Sequence, residues 1–371
     1  MRHHISAEQL RQTRLSRQLL NDTNRASSAA DIARALFALQ AQEWPSAQLA
    51  IHARARGITQ ADVIHAREVE RAFVLTWSLR GTLHLVAAED LRWQLELCGP
   101  PALRGTRSRY KQLGLTEDIR ERALGAIEDI LRGDNALPRA QLAEALGARG
   151  IPVAGQAIHH LARFAALRGL ICFGPAIDGD LTYALLDEWA PADGAKPNAD
   201  EALRQFALRY LAAYGPATMA DFKRWSGLTA AQAKQAWAAI SAECLALSLP
   251  AGEALLLERQ AALLESSPDE PTLRLLPRYD NYLLAYASRA FMVDEAYAKQ
   301  VHPGGGLIRA CVIIDGEAKA NWKLEKRGAR QRLVVDPFEK LEAGQLELLE
   351  AEARSLGSFF ETSLELRVAS G

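Results

Sequence analysis

The sequence predicts an α+β chain, mainly α, with three tandem helix-turn-helix units followed by a C-terminal β-rich, barrel-like domain. Three observations predict this. One local order, three helices and then two short strands, recurs three times along the chain. Near the C-terminus the composition turns to β-type residues broken by Gly, Pro and Asp. The length, 371 residues, exceeds what one compact core usually holds. The expected divisions are 1–92, 93–190, 198–262 and 270–371.

In the first unit, ISAEQLRQTRLSRQLL, AADIARALFALQ, SAQLAIHARARG and TQADVIHAREVE carry apolar residues at helical spacing. FVLTWSL and TLHLVA follow as strands joined through Arg80 and Gly81. The second unit is clearest. TEDIRERALGAIEDILRG (116–133), LPRAQLAEALGARG (137–150) and QAIHHLARFAALRG (156–169) are helices that end in glycine. LICFG and LTYALL are strands around the turn-rich PAIDGD. After a linker at 189–200 the third unit repeats the order with DEALRQFALRYLAAYG, TMADFKRWSG and TAAQAKQAWAAIS, then ECLALSLPAGEALLLE as strand, turn and strand. Helix, tight turn, helix and hairpin is the order of a winged helix-turn-helix. The last part, with TLRLLPRYDNYLLAY, LIRACVIIDGEAKANWKL, QRLVVDPF, a helix QLELLEAEARSLGSFF and a strand SLELRVA, reads as a small barrel with one helix.

Composition excludes several classes. The chain is 49% hydrophobic and 24% charged, with no apolar run long enough to span a bilayer and no signal-like N-terminus. A cytoplasmic protein is expected. Cys98, Cys172, Cys244 and Cys311 form no CxxC pair, and the eight histidines form no HExxH, so no metal and no cofactor are expected. The net charge is −1, yet the first 112 residues carry sixteen Lys and Arg against ten Asp and Glu. That distribution fits an anionic partner such as double-stranded DNA. Candidate phosphate contacts are Arg104, Arg107, Arg109 and Lys111 in RGTRSRYK, read as a surface loop, and Arg80 at the hairpin turn. His302, in the glycine-rich VHPGGG, is a further candidate. For each the alternative is a solvated or purely structural side chain. Three such units in one chain would form a monomer wrapping its duplex.

The stretch LFALQAQEWP places Gln40 and Gln42 where an apolar helix is expected to end, near Gln40. On a helix the two would be turned apart by roughly 200°. On extended backbone they share a face, with Ala41 turned to the core. Pro45 disfavours helix at Trp44 and so favours the extended reading. A glutamine amide is neutral, with two donors and an acceptor oxygen. It orients a water or sets a carbonyl dipole against a developing cation; it is no strong base. The alternative is a pair that caps carbonyls or faces solvent.

LQAQ, together with RAFVLTWSLRGTLHLVAAED, LLPRYDNYLLAY and GGLIRACVIIDG, resembles the AlkZ/YcaQ-like winged-helix DNA glycosylases over nearly the whole chain. The resemblance implies tandem winged helices and a β-barrel. It implies excision of N7-alkylated purines and unhooking of interstrand crosslinks, with Gln40, Ala41 and Gln42 matching the Gln-apolar-Gln version of the catalytic motif. An N7-alkylguanine leaves as a neutral base, so what remains for the protein is an oxocarbenium-like sugar and an attacking water. The implied enzyme is monofunctional and leaves an abasic site. Trp44 and Trp77 are candidates to pack on the damaged base, with core packing as the alternative. His84 alternates with Leu83 and Leu85 and either lines the cleft or is a satisfied buried histidine. The rival functions are a non-catalytic winged-helix transcriptional regulator and a module for protein contacts.

Overall fold

The protein is described from a computed structural model covering residues 3–191, 196–250, 252–265, 270–327 and 330–369. Residues 192–195 of the expected linker, and Ala251 in the expected Pro-Ala-Gly turn, lie outside the described residues. A strand β1 (His3–His4) and a helix α1 (Ala7–Arg17) come first. One pattern then appears: α2 (Ala29–Leu36), β2 (Leu39–Gln40), α3 (Trp44–His52), α4 (Gln60–Glu68), β3 (Phe73–Trp77) and β4 (Leu83–Ala87). After α5 (Ala88–Gly105) and α6 (Arg107–Gln112) it repeats as α7 (Glu117–Leu131), β5 (Leu137–Pro138), α8 (Arg139–Ala148), α9 (Ala157–Leu167), β6 (Ile171–Ile177) and β7 (Asp180–Leu185). After α10 (Leu186–Trp189) it repeats again as α11 (Ala199–Tyr214), β8 (Ala217–Thr218), α12 (Met219–Ser226), α13 (Ala230–Ile240), β9 (Cys244–Leu249) and β10 (Gly252–Leu257). In every repeat the short strand pairs with the last strand and the two longer strands form a hairpin.

Local chemistry accounts for these elements. Thr218 with Asp221, and Thr229 with Gln232, form capping boxes at the starts of α12 and α13. The β6–β7 turn is tighter than the sequence suggests. It consists of Asp178 and Gly179, both at positive φ, the geometry that suits a two-residue hairpin. Helix α2 stops at Leu36, before the expected Gln40. Phe37 takes φ 61, and its buried ring packs against Trp93, Phe206 and Trp225 at centroid distances of 5.5, 5.2 and 6.0 Å. With ψ −41 and the Ala38 N–H bonded to the Leu36 carbonyl at 2.6 Å, Phe37 is the centre of a tight three-residue turn. Such a conformation costs a non-glycine residue about 1–3 kcal/mol, which burial of an aromatic ring among three others offsets.

The first two repeats share one six-stranded sheet, ordered β2-β4-β3-β6-β7-β5, through the pair Leu75 and Phe173. The third forms a four-stranded sheet, β1-β9-β10-β8. The six-stranded sheet separates two cores. Phe73, Leu75, Trp77 and Leu85 belong to one; Val74 and Val86 belong to the other, with Phe37, Phe206 and Trp225.

The C-terminal part comprises β11 (Leu273–Leu276), α14 (Asn281–Leu284), α15 (Ala298–Val301), β12 (Cys311–Ile314), β13 (Glu317–Arg327), β14 (Arg330–Pro337), α16 (Ala343–Phe359) and β15 (Leu364–Val368). Here the barrel expectation is corrected. The sheet is open, ordered β11-β12-β13-β14-β15, with β11 and β15 at its edges among the described residues. The reason is α16, which crosses over between the parallel strands β14 and β15. Its buried Leu349, Ala353, Leu356 and Phe359 join the sheet's core, so the apolar face is covered without closure. The expected loop at RGTRSRYK is also corrected: it spans the end of α5 and all but the last residue of α6.

Candidate functional site

Gln40 closes the two-residue strand β2 just after Phe37, and Gln42 lies in the bend that follows it. Leu39 and Ala41 are buried, Gln40 is partly buried and Gln42 is exposed, so burial alternates with period two. Gln40 pairs across the sheet with His84, and both share the face opposite Leu39, Leu85 and Trp77. Helix α3 begins immediately afterwards, with Pro45 in its first turn where the missing N–H costs nothing.

Two hydrogen bonds fix Gln40. Its backbone N–H donates to Asn281 Oδ1 at 2.7 Å. Asn281 Nδ2 in turn donates to the Ala38 carbonyl at 2.8 Å and to the Tyr214 hydroxyl. Arg80 Nη2 donates to Gln40 Oε1 at 3.1 Å, while Arg80 Nη1 donates to the Trp225 carbonyl. Strand β2 is therefore clamped by a residue of the C-terminal part, and its side chain by a turn that reaches the third repeat. Under the clamp, Arg54 and Asp280 form a fully buried bidentate pair at 2.7 and 2.8 Å. Gln42, by contrast, has no hydrogen-bond partner among the described residues.

The electrostatics are those of a partly buried cation beside a neutral, buried imidazole. Burial lowers the Arg80 pKa to about 10, which still leaves it charged at neutral pH. Burial and the neighbouring Arg80 push His84 down to about 3, so the ring is neutral. Its Nδ1 lies 3.0 Å from the Thr82 carbonyl, to which a neutral ring donates.

The remaining candidates separate. Trp77 is buried on the opposite face of the sheet, tilted against Phe173 at 5.0 Å and edge-on to His159 at 5.5 Å, so it is a core residue. His84 is buried behind Gln40 rather than open to a cleft. Trp44 is partly buried, with the Arg67 guanidinium 4.8 Å above its ring. Arg80 turns inward to Gln40 and Trp225. A cleft of about 540 Å³ lies between α3 and the C-terminal sheet, lined in part by Ser46, Leu49, Pro277, Arg278, Trp322 and Leu324. The pair Glu43–Arg278 (2.9 Å) borders it, and Trp44, Trp77 and His84 do not line it. His302 is partly buried with both ring nitrogens unpartnered; burial and then Arg289 lower its pKa to about 4.

Arg104, Arg107 and Lys111 are exposed, and Arg109 bonds Gln112 Oε1 (2.9 Å) and Gln156 Oε1 (2.5 Å). Arg107 and Lys111 are four apart on α6 and share a face. Arg163 links this segment to the hairpin turn, donating to the Gly81 carbonyl (2.8 Å) and to Thr106 Oγ1 (2.7 Å). Sequence reasoning gave no role to Asn281, Arg54, Asp280 or Arg163. The first and third of these lie beside or within the PRYDN segment, which did stand out as a motif.

Residues 33–359 match the family model described as DNA glycosylase AlkZ-like. The chain belongs to the AlkZ-like DNA glycosylase family. Family membership sets the enzyme class, a DNA glycosylase. The chain is 26% identical over 353 residues, 92% of each chain, to the interstrand DNA cross-link repair glycosylase of Streptomyces sahachiroi. Its fold matches the solved structure of the DNA glycosylase AlkZ from the same organism with a TM-score of 0.84 at 24% identity, covering 99% of this chain and 100% of that one. Among the described residues no helix is long and apolar enough to cross a membrane, and no group of three His, Cys, Asp or Glu is arranged to hold a metal ion.

Proposed function

We propose that this AlkZ-like protein is a monofunctional DNA glycosylase that excises N7-alkylated purines from double-stranded DNA and unhooks interstrand crosslinks. The observation that carries the proposal is the glutamine pair. Gln40 ends strand β2 and Gln42 follows it by two residues in a bend; both turn away from the core that buries Leu39 and Ala41, and Gln42 is exposed with no hydrogen-bond partner among the described residues. Neutral dipoles suffice for a substrate whose base departs uncharged. They orient a water and stabilise the oxocarbenium-like sugar, and a preorganised donor or acceptor of this kind supplies about 10²–10³ in rate. The name of the Streptomyces relative, an interstrand cross-link repair glycosylase, supports the crosslink substrate.

In this reading the three repeats are winged-helix units within 1–92, 93–190 and 198–262, and the protein acts as a monomer. Arg104, Arg107, Arg109 and Lys111 hold DNA phosphates. Trp44 remains beside the glutamine pair as a contact for the damaged nucleotide.

The test uses two duplexes, one with a single N7-methylguanine and one with an N7-linked interstrand crosslink. Each is incubated with protein and then treated with alkali to cleave abasic sites. Strand cleavage at the modified purine, or appearance of unhooked strands, is the expected result. No reaction on either duplex, together with a footprint on unmodified DNA, would establish a DNA-binding regulator instead.

A further inference from the structure

We propose that Arg80 is a positioning residue that sets the orientation of the Gln40 amide, holding its carbonyl inward and its NH₂ outward. Gln40 then serves the reaction as a donor, and Gln42 is the side chain whose carbonyl is free to accept. This rests on the glycosylase reading and divides the work between its two glutamines.

A guanidinium has five N–H donors and no acceptor, so only the Gln40 carbonyl oxygen can face it. The flipped amide would set N–H against N–H. Arg80 is itself held. Its backbone takes φ 56 and is followed by Gly81 at φ 68, and its Nη1 is tied to the Trp225 carbonyl. At Gly227, just beyond Trp225, a Cβ would lie 2.8 Å from Arg80 Cγ, so the third repeat closes on this side chain. On the far side Arg163 occupies the space a Cβ on Gly81 would need. The Gln40 backbone is fixed independently by Asn281 at 2.7 Å. With main chain and carbonyl both anchored, the amide has one rotamer, and its Nε2 has no protein partner among the described residues. A cation on the carbonyl also polarises the amide and strengthens its N–H as a donor. The group it would serve is the oxygen of the attacking water.

The experiment is a double-mutant cycle on the single-turnover excision rate of the full chain, with DNA affinity measured in parallel. The variants are Arg80→Met, Gln40→Ala and both together. Arg80→Met is expected to slow excision about 10²-fold, the scale of a misplaced group. Its Kd for the lesion duplex should stay near wild type, and it should add nothing in the Gln40→Ala background. Gln40→Glu, which keeps the acceptor for Arg80 but has no NH₂, should be as slow as Gln40→Ala. A wild-type rate for Gln40→Glu overturns the inference. So do effects of Arg80→Met and Gln40→Ala that multiply, or an Arg80→Met defect confined to Kd, as expected of a phosphate contact or a purely structural arginine. A wild-type protein inactive on both duplexes overturns the glycosylase reading, and this inference with it; multiplying effects in an active enzyme overturn only the inference.

Discussion

Asn281 accepts the backbone N–H of Gln40 at 2.7 Å, and its amide donates to the Ala38 carbonyl at 2.8 Å, so one side chain bonds the backbone edge that β4 leaves open, on either side of Leu39. The two residues are 241 positions apart. Asn281→Ala would strand the Gln40 N–H, at about 1–3 kcal/mol, and leave the Ala38 carbonyl only its 3.4 Å bond from the Tyr214 hydroxyl. We expect a lower thermal midpoint together with a slower excision rate. An Asn281→Ala protein that is destabilised but excises at the wild-type rate would show that the strand holds its shape without the clamp.

Arg54 and Asp280 form the support beneath Asn281, with both side chains fully buried. Removing one partner leaves an uncompensated charge, which typically costs about 3–5 kcal/mol. Arg54→Met and Asp280→Leu should each lower the urea midpoint strongly, and the double substitution should cost much less than the sum. Additive losses would mean that the two groups act independently.

The fold was largely legible from the sequence where local rules act. Glycine stops and apolar periodicity marked the repeated helix order, and burial alternates over Leu39 to Gln42 as the extended reading expected. Pro45 did not keep Trp44 out of a helix, because it sits in the first turn of α3, which begins at Trp44. What was not legible depends on distant partners. The end of α2 is set by the ring of Phe37 finding Trp93, Phe206 and Trp225. The open C-terminal sheet depends on where α16 lies, and a strand count does not encode that. Arg80 looked like a phosphate contact because it sits at a hairpin turn; its inward direction depends on the third repeat supplying the Trp225 carbonyl.

Acid should destabilise the protein through two buried histidines. His52 is pushed down to about 3 by burial and then by Arg25 and Arg274, and His84 to about 3 by burial and then Arg80. Their folded pKa values lie below the ordinary 6.5. The unfolded chain therefore binds more protons between those limits, and stability falls as pH drops through that window. Each histidine contributes a slope of about 1.4 kcal/mol per pH unit. His52→Phe, which keeps an aromatic ring against Phe359, should make the stability profile shallower by one such slope between pH ~6 and ~4. Equal slopes in the two proteins would assign the acid lability to other groups.

The basic segment should act on binding and leave chemistry alone. Arg107→Ala with Lys111→Ala is expected to weaken duplex binding for every sequence and to reduce the salt slope of log Kd by about one per lost phosphate contact. The excision rate at saturating protein should not change. An unaltered salt slope would place the DNA path elsewhere.

The central claim is that the exposed glutamine takes part in breaking the glycosidic bond. The most direct measurement is the single-turnover excision rate of Gln42→Ala on the N7-methylguanine duplex, or on the crosslinked duplex if only that is processed, with affinity for the same DNA measured alongside. The account predicts a rate lower by about 10² or more with Kd within a few-fold of wild type. An unchanged rate in a folded Gln42→Ala protein that binds DNA normally would contradict it.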